Sequence, residues 1–246
     1  MKKVFITILI AHLCVPVLVA QDRLKYIRDI IEYEQELNTL VSTVIDSLGG
    51  ELPNIQSTHF LATGVMLQEG STQQPFEMYT LKRRWARIDV KGDSLNYSIS
   101  RYGRRGWIHD NDNHTSLRRR SLDEHHYSHF YTNNLFTFED QGLEVYYEGE
   151  VKTDFVEAYI IRLTGLSYGE EMYFISKESY LPIMKQVYLL NGEQEVIHYE
   201  LSDYRRVNEV LLPFSISIKH GDDMRLFLID DINTDFQPTE SLFKEY

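Results

Sequence analysis

Between residues 57 and 109 the chain alternates faces at every second position, which is the period of a strand whose successive side chains point to opposite sides. Phe60, Ala62, Gly64 and Met66 fall on one face of the first run, and His59, Leu61, Thr63, Val65 and Leu67 on the other. The pattern predicts strands over 57–68, 76–90, 95–102 and 106–109, with hairpins at Glu69-Gly70-Ser71 and Lys91-Gly92-Asp93. It resumes over 143–149, 157–164, 170–176, 182–190, 194–205, 211–219 and 224–233. Asn191-Gly192 is a two-residue hairpin signal, and His220-Gly221-Asp222-Asp223 marks another turn. About eleven antiparallel strands are expected, without internal repeat or linker. A meander of this length must close on itself or be covered, because an open edge invites pairing with another chain.

Two stretches have a different period. Leu24, Ile27, Ile31, Leu37, Leu40, Val41, Val44, Ile45 and Leu48 recur mostly at three- and four-residue steps, predicting an amphipathic helix over 22–48 that Gly49-Gly50 ends. Over 121–141, Ser121 and Glu124 fit a capping box, and Leu122, Tyr127, Phe130, Leu135, Phe136 and Phe138 are many apolar residues for a loop. This stretch is the candidate for a mobile helical cover over the sheet.

The first 20 residues carry Lys2 and Lys3 before the apolar run 4–20, the layout of a secretory signal cut after Ala20. Cys14 follows Leu13, which is too large for a lipid-attachment site. The expected mature chain is one domain over 21–246, exported to the periplasm and free of cysteine, so its stability must come from burial and strand pairing. No later apolar run reaches the ~20 residues of a membrane-spanning helix. The chain carries a net charge of −12, yet the window 82–120 holds 11 basic residues against four acids. So acidic a protein is a poor partner for nucleic acid. The basic window reads as solvated strand ends or as a patch that meets anionic lipid headgroups.

Catalytic signals are absent. There is no Gly-x-Ser-x-Gly elbow, no phosphate-cradling glycine loop and no mature cysteine nucleophile. His125 and His129 would share a helix face, but the acids Asp123 and Glu124 precede both, unlike the His-Glu-x-x-His order of zinc proteases. Asp110-Asn111-Asp112-Asn113 lacks the spacing and glycine of a calcium loop. No metal or cofactor is therefore expected, and binding is favoured over catalysis. The 17 tyrosines fall largely in strands, where aromatic rings pack on a pleated surface.

Several segments together resemble the periplasmic lipoprotein-carrier (LolA/LolB-like) superfamily, including its outer-membrane lipoprotein-sorting relatives. They are the amphipathic helix ending in Gly49-Gly50, Phe60-Leu61-Ala62-Thr63-Gly64-Val65-Met66, Leu81-Lys82-Arg83-Arg84-Trp85-Ala86-Arg87-Ile88-Asp89, and Tyr102-Gly103-Arg104-Arg105-Gly106-Trp107-Ile108. Asp203-Tyr204-Arg205-Arg206-Val207 before Leu212-Pro213-Phe214 extends the likeness through the second half. The resemblance implies an unclosed antiparallel β-barrel with helices across its mouth, which binds the acyl chains of lipoproteins or other lipids. Alternation then selects Phe60, Ala62, Met66, Met78, Ala86 and Ile88 as lipid-facing, with Trp107 added, and Leu122, Phe130, Leu135 and Phe136 as lid residues. The family's basic strand carries a Lys-Arg-Pro step whose arginine tethers the lid. Here Lys82-Arg83-Arg84 has no proline, so Lys82 and Arg83 compete for that role. Rival readings are a periplasmic hydrolase built on clustered carboxylates or the histidines, and a non-catalytic module that binds an envelope protein.

Overall fold

A computed structural model describes residues 33–49, 59–68, 73–81, 85–92, 96–103, 105–110, 113–118, 134–136, 138–154, 156–166, 168–190 and 195–244. The chain divides into two compact units, Met1–Ser42 and Thr43–Tyr246. In the first, the described residues 33–42 are helical; in the second, 43–48 are helical and bury Val44 and Leu48. The predicted residues 22–32 of that helix lie outside the described part.

The second unit is one unclosed antiparallel sheet of 13 strands. The first six are β1 (Phe60–Gln68), β2 (Gln74–Thr80), β3 (Trp85–Lys91), β4 (Asn96–Tyr102), β5 (Arg105–Asp110) and β6 (Asn113–Arg118). A turn of 3-10 helix, Asn134–Phe136, and the short helix Phe138–Gln141 precede the remaining strands. These are β7 (Glu144–Lys152), β8 (Glu157–Leu166), β9 (Gly169–Ser176), β10 (Pro182–Leu189), β11 (Val196–Val207), β12 (Val210–His220) and β13 (Asp223–Asn233). The spatial order is β6-β5-β4-β3-β2-β1-β13-β12-β11-β10-β9-β8-β7. Two meanders are thus joined by a single long-range seam, β1 against β13, and β6 and β7 are the free edges.

Thirteen strands replace the expected eleven for two reasons. The run 76–90 is two strands, closed by a turn in which the Leu81 N–H donates to the Trp85 carbonyl at 2.9 Å. Phe76, Met78 and Thr80 share the buried face with Ala86, Ile88 and Val90. All are even-numbered, so alternation runs through the turn unbroken and hides it. Strand β6 lacks an apolar stripe: residues 113–116 are exposed and Leu117 is buried, so nothing in its pattern announces a strand.

The seam depends on small residues. Gly64 stands opposite Ile229 next to a bulge, and a Cβ on it would lie 2.1 Å from the Leu228 carbonyl oxygen. Gly49 (φ +131°) ends the helix, its N–H donating to the Asp46 carbonyl, and its Cα sits against the turn between β11 and β12, where a Cβ would lie 2.2 Å from the Glu209 oxygen.

The residues after β13 cover one face of the first meander. Phe236 meets Tyr79, the Arg87 guanidinium donates to the Leu242 carbonyl at 3.1 Å, and Phe243 is buried beside Trp85. The other face carries the core.

Candidate functional site

That other face is continuous across the seam. In register, Ala62 lies between Met78 and Ile232, Gly64 between Phe76 and Ile229, and Met66 between Gln74 and Phe227. Ile88 continues the row beyond Met78, followed by Ile99 and Ile108. On the far side, Ile216 neighbours Phe227, and Ile218 neighbours Tyr199. Together with Phe60, Val90, Leu117, Val187, Leu189, Ile197 and Phe214, the apolar side chains of these rows form one contiguous buried cluster spanning both meanders, with the partly buried Ile108 packed against it.

Phe60, Ala62, Met66, Met78, Ala86 and Ile88, selected by alternation, are all buried on this face. Trp107 is not among them. It pairs with Ser100, which pairs with Arg87, and Arg87 lies on the face covered by the C-terminal segment. Trp107 is therefore buried on the wrong side to touch the apolar row. Gly106 and Trp107 are both buried, and the run Gly-Trp-Ile offers no clean alternation, so its phase was unreadable from sequence.

Two polar atoms on the apolar face, Gln74 Oε1 and Thr80 Oγ1, have no hydrogen-bond partner among the described residues although both residues are buried. Buried polar atoms are normally satisfied.

The second meander adds an ionic cluster to the same face. On β9, Gly169, Glu171, Tyr173 and Ile175 are buried in alternation; on β10, Lys185, Val187 and Leu189 are. Glu171 is 1% exposed and Lys185 5%. The Tyr173 hydroxyl donates to Glu171 Oε2 at 2.5 Å, the Tyr168 hydroxyl donates to Oε1 at 2.6 Å, and Asn134 Nδ2 lies 3.1 Å from both oxygens. Asn134 also donates to the Tyr168 oxygen at 2.8 Å. Lys185 Nζ stands 3.9 Å from Glu171 Oε1 and 4.6 Å from the Tyr199 ring centroid. Burial pulls the Lys185 ammonium below the usual lysine range against the opposing charge of Glu171. Burial, then the Glu171 charge and hydrogen bond, push the Tyr173 phenol well above the tyrosine range.

Asn134 and Leu135 come from the connection between β6 and β7, so this cluster fastens the end of that connection to the apolar face. Leu135, an expected lid residue, is fully buried. Phe136 follows it in the 3-10 turn. Leu122 and Phe130, the tether candidates Lys82 and Arg83, and His125 and His129 all lie outside the described residues. The fastening seen is Asn134 on Glu171, which sequence reasoning missed because a glutamate beside Met172 and Phe174 reads as solvent-facing. The available signal was Lys185, which is in phase with Val187 and Leu189.

Among the described residues no three metal-ligating side chains cluster, and no helix is long and apolar enough to cross a membrane.

No protein-family model matches the chain, and no curated protein matches it. Solved structures do. A DUF1329 family protein from Desulfovibrio piger aligns with a TM-score of 0.57 at 12% identity, covering 85% of this chain and 97% of its own. A LolA superfamily protein from Nitrosomonas europaea gives a TM-score of 0.57 at 10% identity, covering 82% and 96%. A domain from Vibrio parahaemolyticus assigned to outer membrane lipoprotein sorting gives 0.54 at 10% identity, covering 86% and 94%.

Proposed function

Starting from a LolA/LolB-like fold, we propose that the protein is a periplasmic, non-enzymatic carrier that binds the acyl chains of lipoproteins or other lipids for transfer toward the outer membrane. The observation that supports this reading is the single apolar face to which both meanders contribute. Phe60, Ala62, Met66, Met78 and Ile88 belong to one apolar cluster and Ala86 is buried on the same face; they would pack against an acyl chain, each methylene shielded there being worth about 0.8 kcal/mol. Residues 1–20 would direct export and 21–246 would act as one lipid-binding domain. The connection between β6 and β7 would serve as the lid, with Leu122, Phe130, Leu135 and Phe136 against the chain and Lys82 or Arg83 as an additional tether.

Mass spectrometry of lipids extracted from protein purified out of the cell envelope tests the reading. An acylated ligand near stoichiometric amount is expected. Protein that carries none, and that fails to retain a supplied long-chain ligand, refutes it.

A further inference from the structure

Lys185 is 5% exposed, and among the described residues its ammonium has no hydrogen-bond acceptor. Its Nζ is 3.9 Å from Glu171 Oε1, beyond hydrogen-bond range. Glu171 has no room for it, since Tyr168, Tyr173 and Asn134 already fill the carboxylate oxygens. The face of the Tyr199 ring stabilises the charge but accepts no conventional hydrogen bond. Among the described residues, the three N–H groups of this side chain therefore donate to no oxygen. An ammonium in this position is costly unless its donors find acceptors.

The charge balance restricts what the acceptor is. Lys185 and Glu171 neutralise each other. An anionic headgroup would leave a net negative charge in a buried site beside Glu171, whereas a neutral carbonyl accepts a proton bridge without altering the balance. The position also suits a chain: from β10 to the seam strand β1 is four inter-strand steps, about 19 Å along the sheet, and Ile218, Phe227 and Met66 line the way.

We propose that Lys185 Nζ is the polar anchor for the carbonyl oxygen of an acyl ester or amide whose hydrocarbon chain lies on the apolar face. This rests on the acyl-binding reading and adds to it the headgroup chemistry that the site selects.

The test uses three sixteen-carbon amphiphiles: monopalmitoylglycerol, the matching hexadecylglycerol ether, which lacks the carbonyl, and palmitate. Wild-type protein binds the ester about ten-fold more tightly than the ether, the worth of one hydrogen bond from a charged donor. Lys185→Met, of similar length and apolar, binds ester and ether equally, the readout being the ester-to-ether ratio. Equal binding of ester and ether by wild type, a preference that survives in the variant, or palmitate binding tightest overturns the anchor while leaving the carrier reading intact. Binding of none of the three overturns both. Should Lys185→Met not fold, infrared spectroscopy of an isotope-labelled ester carbonyl on wild-type protein decides. A stretch lowered relative to hydrocarbon solvent supports the anchor, and an unshifted band refutes it.

Discussion

Replacing Gly64 by alanine puts a methyl group into the β1–β13 pairing that joins the two meanders in the sheet. The added Cβ would lie 2.1 Å from the Leu228 oxygen and 2.9 Å from the Ile229 Cα, both backbone atoms that no rotamer can move. Restoring ordinary contact needs the strands to part by about 1 Å, which overpacking data put at roughly 1–3 kcal/mol. A ladder hydrogen bond stretched that far adds about 1 kcal/mol. Some 2–4 kcal/mol is then lost, and at roughly 2–4 °C per kcal/mol for a chain of this size the melting temperature falls by about 10 °C. Gly103→Ala is the control. Its φ of +64° disfavours a side chain, yet among the described residues no atom beyond its chain neighbours lies within 4 Å of the added Cβ, so the ~1–2 kcal/mol of left-handed strain applies. Urea unfolding followed by circular dichroism compares them. A Gly64→Ala midpoint no lower than that of Gly103→Ala refutes the reasoning, and a changed slope would mean that the states themselves had changed.

Other expectations follow from the same contacts. Asn134→Leu removes the donor that bridges both Glu171 oxygens, costs about 1–3 kcal/mol and speeds hydrogen exchange at Leu135; unaltered exchange there would show that Asn134 fastens nothing. Tyr173 is held protonated, so its contribution is complete below the unfolded tyrosine pKa near 10 and is lost as pH rises through the higher folded value. Wild type should therefore lose stability above about pH 10, and Tyr173→Phe should flatten that loss in alkaline melts. Phe243→Ala empties a fully buried site beside Trp85 and should cost about 3–5 kcal/mol, read as a lower denaturation midpoint. Trp107→Phe should leave the amount of co-purified lipid unchanged, because its ring lies on the face opposite the apolar row.

Alternation carried the sequence a long way toward this fold because burial on one face forces a period of two. Phe60 through Ile88 fell on the buried face for that reason, and hairpin chemistry placed the turn after Lys91. The same rule failed where it had nothing to grip. It crossed the turn at 81–85 because both strands kept the same parity, and it passed over β6, an edge strand with one buried apolar residue. The Glu171 cluster needed knowledge of strand order. Asn134 and Glu171 are brought together because the edge-to-edge connection returns to the sheet, and no local pattern records that. A charged residue in phase with Val187 and Leu189 was the single trace, and propensity alone assigns such a lysine to solvent.

Among the described residues, the two halves of the sheet are hydrogen-bonded to each other through its first and last strands, β1 and β13. During synthesis β1 is made early, and its seam-side backbone must wait for β13, some 160 residues later. Until then Phe60–Gln68 is an apolar ribbon with one row of peptide groups unclaimed, the sort of template that captures foreign strands. Damage to the last strand would therefore leave the first six folded but sticky, and shortened chains should precipitate rather than persist as half-sheets.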